Sequence, residues 1–134
     1  MPRLDRWVST GKKIIPVGDS AHAIPPTAIE GVNQAFEDVY TLSILLDNLS
    51  ANMDMEEALD FWQGMRQERV DKLNELTPTM NNQRLPTEQL AKLKNEEVFN
   101  VKNDTKGEGR EMDWLYEPDW KKEMMTWIER QNKV

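Results

Sequence analysis

The side chains with chemistry to offer cluster near the N-terminus. Asp19 and His22 fall in the run Gly18-Asp19-Ser20-Ala21-His22-Ala23-Ile24-Pro25-Pro26, which leads on to Glu30-Gly31-Val32-Asn33. His22 is the chain's one histidine. An unperturbed pKa near neutrality suits it to general acid or base work, or else it holds the turn as a packing and hydrogen-bonding residue. One histidine and no cysteine leave no multi-histidine or thiolate metal site, so no metal is expected. Asp19 offers a carboxylate that accepts hydrogen bonds from a polyol, or that caps the following turn. Glu30 places a second carboxylate at a helix start, a favourable position in itself. His22, Asp19 and Glu30 are therefore the candidate catalytic residues.

One short strand and a set of helices are expected to position them. Lys12 to Gly18 is a compact apolar run that reads as a strand ending in a turn, with Pro16 confining it to an edge. Pro25-Pro26 blocks helix and forces an extended loop. A first helix starts near Gly31 or Asn33, and Ala35, Phe36, Val39, Leu42, Ile44, Leu45 and Leu46 give it a broad apolar face. A second follows Asp54, turns Ala58, Leu59, Trp62, Met65, Val70, Leu73 and Leu76 inward, and closes at Pro78. Thr87 caps a shorter third helix carrying Leu90 and Leu93. The stretch 100–110 is a polar loop, and a last helix begins near Pro118, aligning Trp120, Met124, Trp127 and Ile128. The expected fold is mainly α, a helical bundle with one short N-terminal strand. The divisions are a strand–loop–helix unit over 1–50, a helical hairpin region over 51–98, a loop over 99–117 and a C-terminal helix over 118–134.

Composition narrows the partners. The 134 residues carry 17 Lys+Arg against 24 Asp+Glu, a net charge of −7, which disfavours nucleic acid and anionic membrane surfaces. No apolar run has membrane-span length, and the N-terminus does not read as a secretory leader, so a cytoplasmic protein is expected. Only 38% of residues are apolar, lean for a self-contained core, yet there are five Trp and eight Met. Those at helical spacing read as core, with a ligand cavity or a subunit interface as the alternative. Self-association is expected, to cover the strand and the apolar helix faces.

The run from Gly18 through Asp38 resembles the second flavin-binding signature of FAD-dependent aromatic-type monooxygenases, the group that includes salicylate hydroxylases and fungal secondary-metabolite hydroxylases. The resemblance continues into 39–46 and, more weakly, into Trp114-Leu115-Tyr116-Glu117-Pro118-Asp119-Trp120. It implies that the chain is a truncated remnant of an α/β flavin-binding domain. It further implies that Asp19 contacts the ribityl chain, that Pro25 and Pro26 flank the flavin ring, and that the Gly31, Val32 and Asn33 turn faces the ring carbonyls, where negative charge develops on reduction. His22 and Asp38 belong to the same pattern as packing residues.

Two departures shape the functional expectation. Ile29-Glu30 stands where the family has Gly-Gln. Two like charges about 4 Å apart repel by roughly 4 kcal/mol at an effective dielectric of ~20. A helix N-terminus returns only about 0.3–1 kcal/mol, so an ionised Glu30 pointing inward disfavours reduced flavin. The family's Gly-x-Gly-x-x-Gly turn and β-rich substrate domain also have no counterpart, since glycines 11, 18, 31, 64, 107 and 109 never take that spacing. Three readings follow. The first is a cofactor-free enzyme that cyclises, rearranges or isomerises an apolar small molecule, using His22, Asp19 and Glu30 as its polar groups. The second is one half of a split FAD enzyme that binds FAD only with a partner chain. The third is a non-catalytic binding protein.

Overall fold

Residues 4–25, 30–51, 53–82, 86–90, 113–116 and 118–132 are described by the computed structural model, and helices dominate them. Helix α1 spans Gly31–Asp47, α2 Met55–Asn82, α3 Thr87–Leu90, α4 Asp113–Tyr116 and α5 Trp120–Gln131. The chain is mainly α, as its periodicity predicts.

Local signals explain the helix ends. Asp54 caps α2, its carboxylate accepting from the backbone N–H groups of Glu56 (2.6 Å) and Glu57 (3.3 Å). Glu56 and Glu57 add negative charge to that first turn. Asp119 does the same for α5, accepting from Lys122 N at 3.1 Å. That helix therefore begins two residues beyond Pro118 rather than at it. α1 stops at Asn48, whose side chain returns to the Ile44 carbonyl at 2.8 Å.

Three expectations need correction. Pro78 does not close α2, which runs on to Asn82. The carbonyl that proline leaves without a helical donor belongs to Asn74, an exposed residue. Residues 13–17 form no strand, and none is found among the described residues. Val17 keeps extended dihedrals (φ −134°, ψ 161°), but extended backbone becomes a strand only when a neighbour completes the ladder. Ile14 is instead folded back onto Ser9, which accepts from the Lys13 and Ile14 amides through its hydroxyl and donates to the Ile14 carbonyl at 3.0 Å. The third correction concerns α1. Leu45 is fully buried, but Phe36, Val39 and Leu46 are exposed. Its inward line is Gln34, Asp38, Thr41 and Leu45, mostly polar. The expected Leu93 and the loop 100–110 lie outside the described residues, and α4 occupies part of the segment expected to be loop.

One apolar core joins the N-terminal segment to three helices. Trp7 and Val8, Leu45 of α1, Ala58, Leu59, Trp62 and Met65 of α2, and Trp120, Met124 and Ile128 of α5 pack together. Each fully buried Leu contributes about 1.5–3 kcal/mol over an exposed one. The N-terminal segment is tied down by Gln63, which accepts from Trp7 N at 2.8 Å and donates to the Asp5 carbonyl at 3.0 Å. Trp62 donates its indole N–H to Thr41 at 2.9 Å, fixing α2 against α1. A second cluster, Ile24, Val70, Leu73 and Leu115, seals the other end. Trp62 and Trp120 are thus core, as their helical spacing suggests, and Trp7 of the N-terminal segment joins them. No helix among the described residues is long and apolar enough to cross a membrane.

Candidate functional site

The turn carrying Asp19 and His22 is a short 3-10 element, Gly18–Ser20, pressed against α1. Gly18 has φ +58°, and a Cβ there would stand 3.0 Å from Ala35 Cβ, so position and approach both demand glycine. The Gly18 carbonyl accepts from the amides of Ala21 and His22 at 2.8 and 2.9 Å.

Asp38 holds this turn. It is fully buried, on the inward face of α1 one turn after Gln34. Its Oδ2 accepts from Gly18 N at 2.8 Å and from His22 Nε2 at 2.6 Å, while Oδ1 accepts from Arg66 Nε at 2.8 Å. Burial alone pushes the Asp38 carboxyl up; the donors His22, Arg66 and Gly18 N–H outweigh it and hold the group below the ordinary carboxylate range. An ionised Asp38 requires His22 to carry its proton on Nε2. Its Nδ1 is buried with no hydrogen-bond partner among the described residues, and the ring lies 4.9 Å from that of Trp7.

Two arginines complete the cluster. Arg66, also fully buried, donates to Glu37 Oε2 (2.7 Å) and to Gln34 Oε1 (2.7 Å), and its guanidinium lies 5.0 Å over the Trp120 ring. Arg69 donates to Glu37 Oε1 at 2.9 Å, to the Leu115 carbonyl at 2.8 Å and to the Trp114 carbonyl. Its guanidinium also covers the rings of Trp114 (5.1 Å) and Trp120 (5.5 Å). Two carboxylates face two guanidiniums, so the buried charges cancel. This pairing explains the polar inward line of α1, because buried guanidiniums demand oxygens opposite them.

The three candidate catalytic residues are not gathered into one reactive group. His22 is buried, its side chain 2% exposed, and engaged with Asp38. Asp19 is exposed at the mouth of α1, its Oδ1 3.6 Å from where a Cβ on Gly31 would stand. Glu30 is half-buried at the N-cap of α1 and accepts from the Asn33 side-chain amide at 3.0 Å. Among the expected cofactor contacts, Pro25 is half-buried, Val32 and Asn33 are exposed, and Pro26 lies outside the described residues. The Glu30 side chain makes no capping hydrogen bond to the first turn of α1. Among the described residues, Asp19 and half-buried Gly31 thus lie together at the α1 N-terminus, beside exposed Val32 and Asn33, with His22 and Asp38 buried nearby.

Sequence reasoning missed Arg66 and Arg69. Both fall on the stripe set by Trp62 and Leu73, at helical spacing, and opposite them α1 offers the adjacent carboxylates Glu37 and Asp38. An arginine pair on an otherwise apolar face was the available signal. Away from the turn, a groove of about 510 Å³ is lined by Phe61, Trp127, Lys122, Thr126 and their neighbours. A cleft of about 290 Å³ is lined by Met65, Trp114, Trp120 and Glu123, among others. Neither contains His22, Asp19 or Glu30. No group of three or more potential ligands among the described residues is arranged to hold a metal ion.

A family model described as FAD binding domain matches residues 4–77, more than half of the chain. Notoamide E oxidase notB' of Aspergillus versicolor is 44% identical over 70 residues, covering 52% of this chain and 15% of that protein. The FAD-dependent monooxygenase notI of Aspergillus sp. (strain MF297-2) is 36% identical over 69 residues, covering 52% and 16%. The FAD-dependent monooxygenase okaB of Penicillium ochrochloron is 38% identical over 67 residues, covering 50% and 15%. The chain therefore spans only a small part of the curated relatives it matches. No solved structure matches it.

Proposed function

Because the chain belongs to the FAD-binding-domain family, we propose that it forms the flavin-facing part of a FAD-dependent monooxygenase acting on an apolar secondary metabolite. The observation that carries this reading is the exposed Asp19 carboxylate beside Gly31, at an α1 N-terminus whose first turn receives no cap from Glu30. The residues present fit the group. Asp19 would accept hydrogen bonds from ribityl hydroxyls, and Gly31 puts no side chain beside its carboxylate. The amides of Gly31, Val32 and Asn33 would hold the electron-rich edge of a bound ring, supported by the helix dipole. The Glu30 carboxylate accepts from Asn33, a bond that would moderate its repulsion of negative charge on a bound ring. Bound FAD supplies the redox chemistry; the chain's own residues bind and orient it.

In the cofactor-free reading the available polar groups are fewer. His22 is buried against Asp38, so Asp19 and Glu30 are the polar groups left for a substrate. The exposed Phe36, Val39 and Tyr40 of α1 support the expectation that this face is covered in the working protein, by a second copy or by the rest of a flavoprotein.

The test is a titration of the chain with riboflavin, FAD and ADP, followed by flavin fluorescence. Riboflavin and FAD are expected to be quenched with similar affinity, with no competition from ADP. Asp19→Ala should weaken both by about tenfold or more, the loss of a charge-assisted hydrogen bond. Flavin fluorescence unaffected by the chain, or full displacement by ADP, overturns the reading.

A further inference from the structure

Resting on that reading, we infer that Arg66 is the positioning residue of the flavin-facing turn, acting through Asp38 on Gly18 and His22. The two oxygens of Asp38 are used in opposite directions. Oδ2 takes the turn, through Gly18 N (2.8 Å) and His22 Nε2 (2.6 Å), and Oδ1 takes Arg66 Nε (2.8 Å). A carboxylate bonded at both ends cannot rotate, so the place of the turn is set by the place of the guanidinium. Arg66 is itself fixed independently, by Glu37 and Gln34 at 2.7 Å each and by the Trp120 ring at 5.0 Å. Asp19 lies between the two anchored residues and is itself exposed. Its carboxylate therefore keeps its place at the α1 N-terminus because the residues on either side are tied, through one buried carboxylate, to α2.

The consequence is specific. Without the Arg66 charge, Asp38 is a buried carboxylate with only His22 and one amide as donors, and its ionised form becomes costly. A protonated or rotated Asp38 releases Gly18 and His22 first. The apolar core of Trp62 and Met124 does not depend on that bond.

Arg66→Met and Arg66→Lys, examined by residue-resolved amide hydrogen exchange and by riboflavin quenching, test the inference. In Arg66→Met, the Gly18 and His22 amides should exchange about tenfold faster or more beyond the increase that lower global stability gives to Trp62 and Met124. The riboflavin dissociation constant should rise by a similar factor. Arg66→Lys keeps the charge at Asp38 but loses the fork to Glu37 and Gln34, so its loss should be selective in the same way and smaller. Should Arg66→Met not fold, Arg66→Lys decides alone. Unchanged exchange at Gly18 and His22 overturns the inference, as does an increase shared equally with Trp62 and Met124, which marks a merely structural role. If wild-type chain leaves riboflavin fluorescence unaltered, the flavin reading falls; the exchange pattern still decides whether Arg66 holds the turn.

Discussion

Asp38→Ala is the substitution with the largest expected penalty outside the apolar core. It leaves Arg66, fully buried, with Glu37 as its remaining carboxylate partner. It also strips the acceptor from Gly18 N–H and from His22 Nε2. Removing one member of a buried ion pair costs about 3–5 kcal/mol, because the other charge stays desolvated. An unsatisfied buried amide costs about 1–3 kcal/mol, and since these penalties overlap the expected total is about 4 kcal/mol. That is a large share of the 5–15 kcal/mol typical of a domain. Urea unfolding followed by tryptophan fluorescence reads it directly, since Trp7, Trp62 and Trp120 are core residues. Acid provides an internal check on the cause. The folded-state pKa of Asp38 is depressed, so its contribution is complete above its unfolded value of about 3.9 and fades as pH falls through the folded value. The gap between wild type and variant should therefore narrow on acidification. A penalty below about 1 kcal/mol at pH 7, or one unaltered by acid, refutes the reasoning.

Gly18→Ala should destabilise the chain by about 1–2 kcal/mol from the positive φ alone, and further from the 3.0 Å approach to Ala35; a neutral result in thermal melts counts against a fixed turn. Glu123→Gln should stabilise slightly near neutral pH. Partial desolvation and the charge of Glu68 raise the Glu123 carboxyl, against Lys72 and Arg66, so its ionised form disfavours folding as pH rises through the folded value. The gain should stay below about 1 kcal/mol because solvent screens the site, and should vanish in acid, as melts at two pH values will show. Pro78→Ala should raise stability by about 1 kcal/mol or more, since an exposed helical position regains its amide donor; a loss of helicity by circular dichroism contradicts the placement of Pro78 within α2.

The helices were legible because periodicity and caps are local. Asp54 and the apolar spacing of 58–73 mark α2 without any knowledge of its neighbours. Its C-terminal end was not legible, because a proline disfavours but does not forbid continuation of a helix, and Pro78 and Asn74 are exposed, which is a tertiary property. The strand failed for a related reason: Ile14, Ile15 and Val17 state a preference, but a ladder needs a second chain segment. In the site, the motif contained the Gly18 turn, His22 and Asp38, but it marked His22 as a catalytic candidate and did not pair it with Asp38. It did not identify Arg66 or Arg69, since an isolated arginine reads as surface until the carboxylates facing it are known. The apolar residues of α1 misled in the opposite direction, because a helix can bury its polar line when its neighbour brings guanidiniums.

The ion cluster also sets an order of assembly. Its bonds close loops of 28 residues between Asp38 and Arg66, 32 between Glu37 and Arg69, and 46 between Arg69 and Leu115. Bringing such distant segments together costs chain entropy before any contact repays it, and desolvating each guanidinium is unfavourable until its carboxylate is in place. The apolar core spans comparable sequence distances without desolvating any ion, so the helices and the Trp62 core are expected to come first, with the charges docking on the native side of the barrier. Loss of the cluster should then shorten the lifetime of the native state while leaving the refolding rate nearly unchanged, so in a stopped-flow chevron Asp38→Ala shifts the unfolding arm and spares the other. The bonds that give this surface its shape are, on that account, also the brake on its undoing.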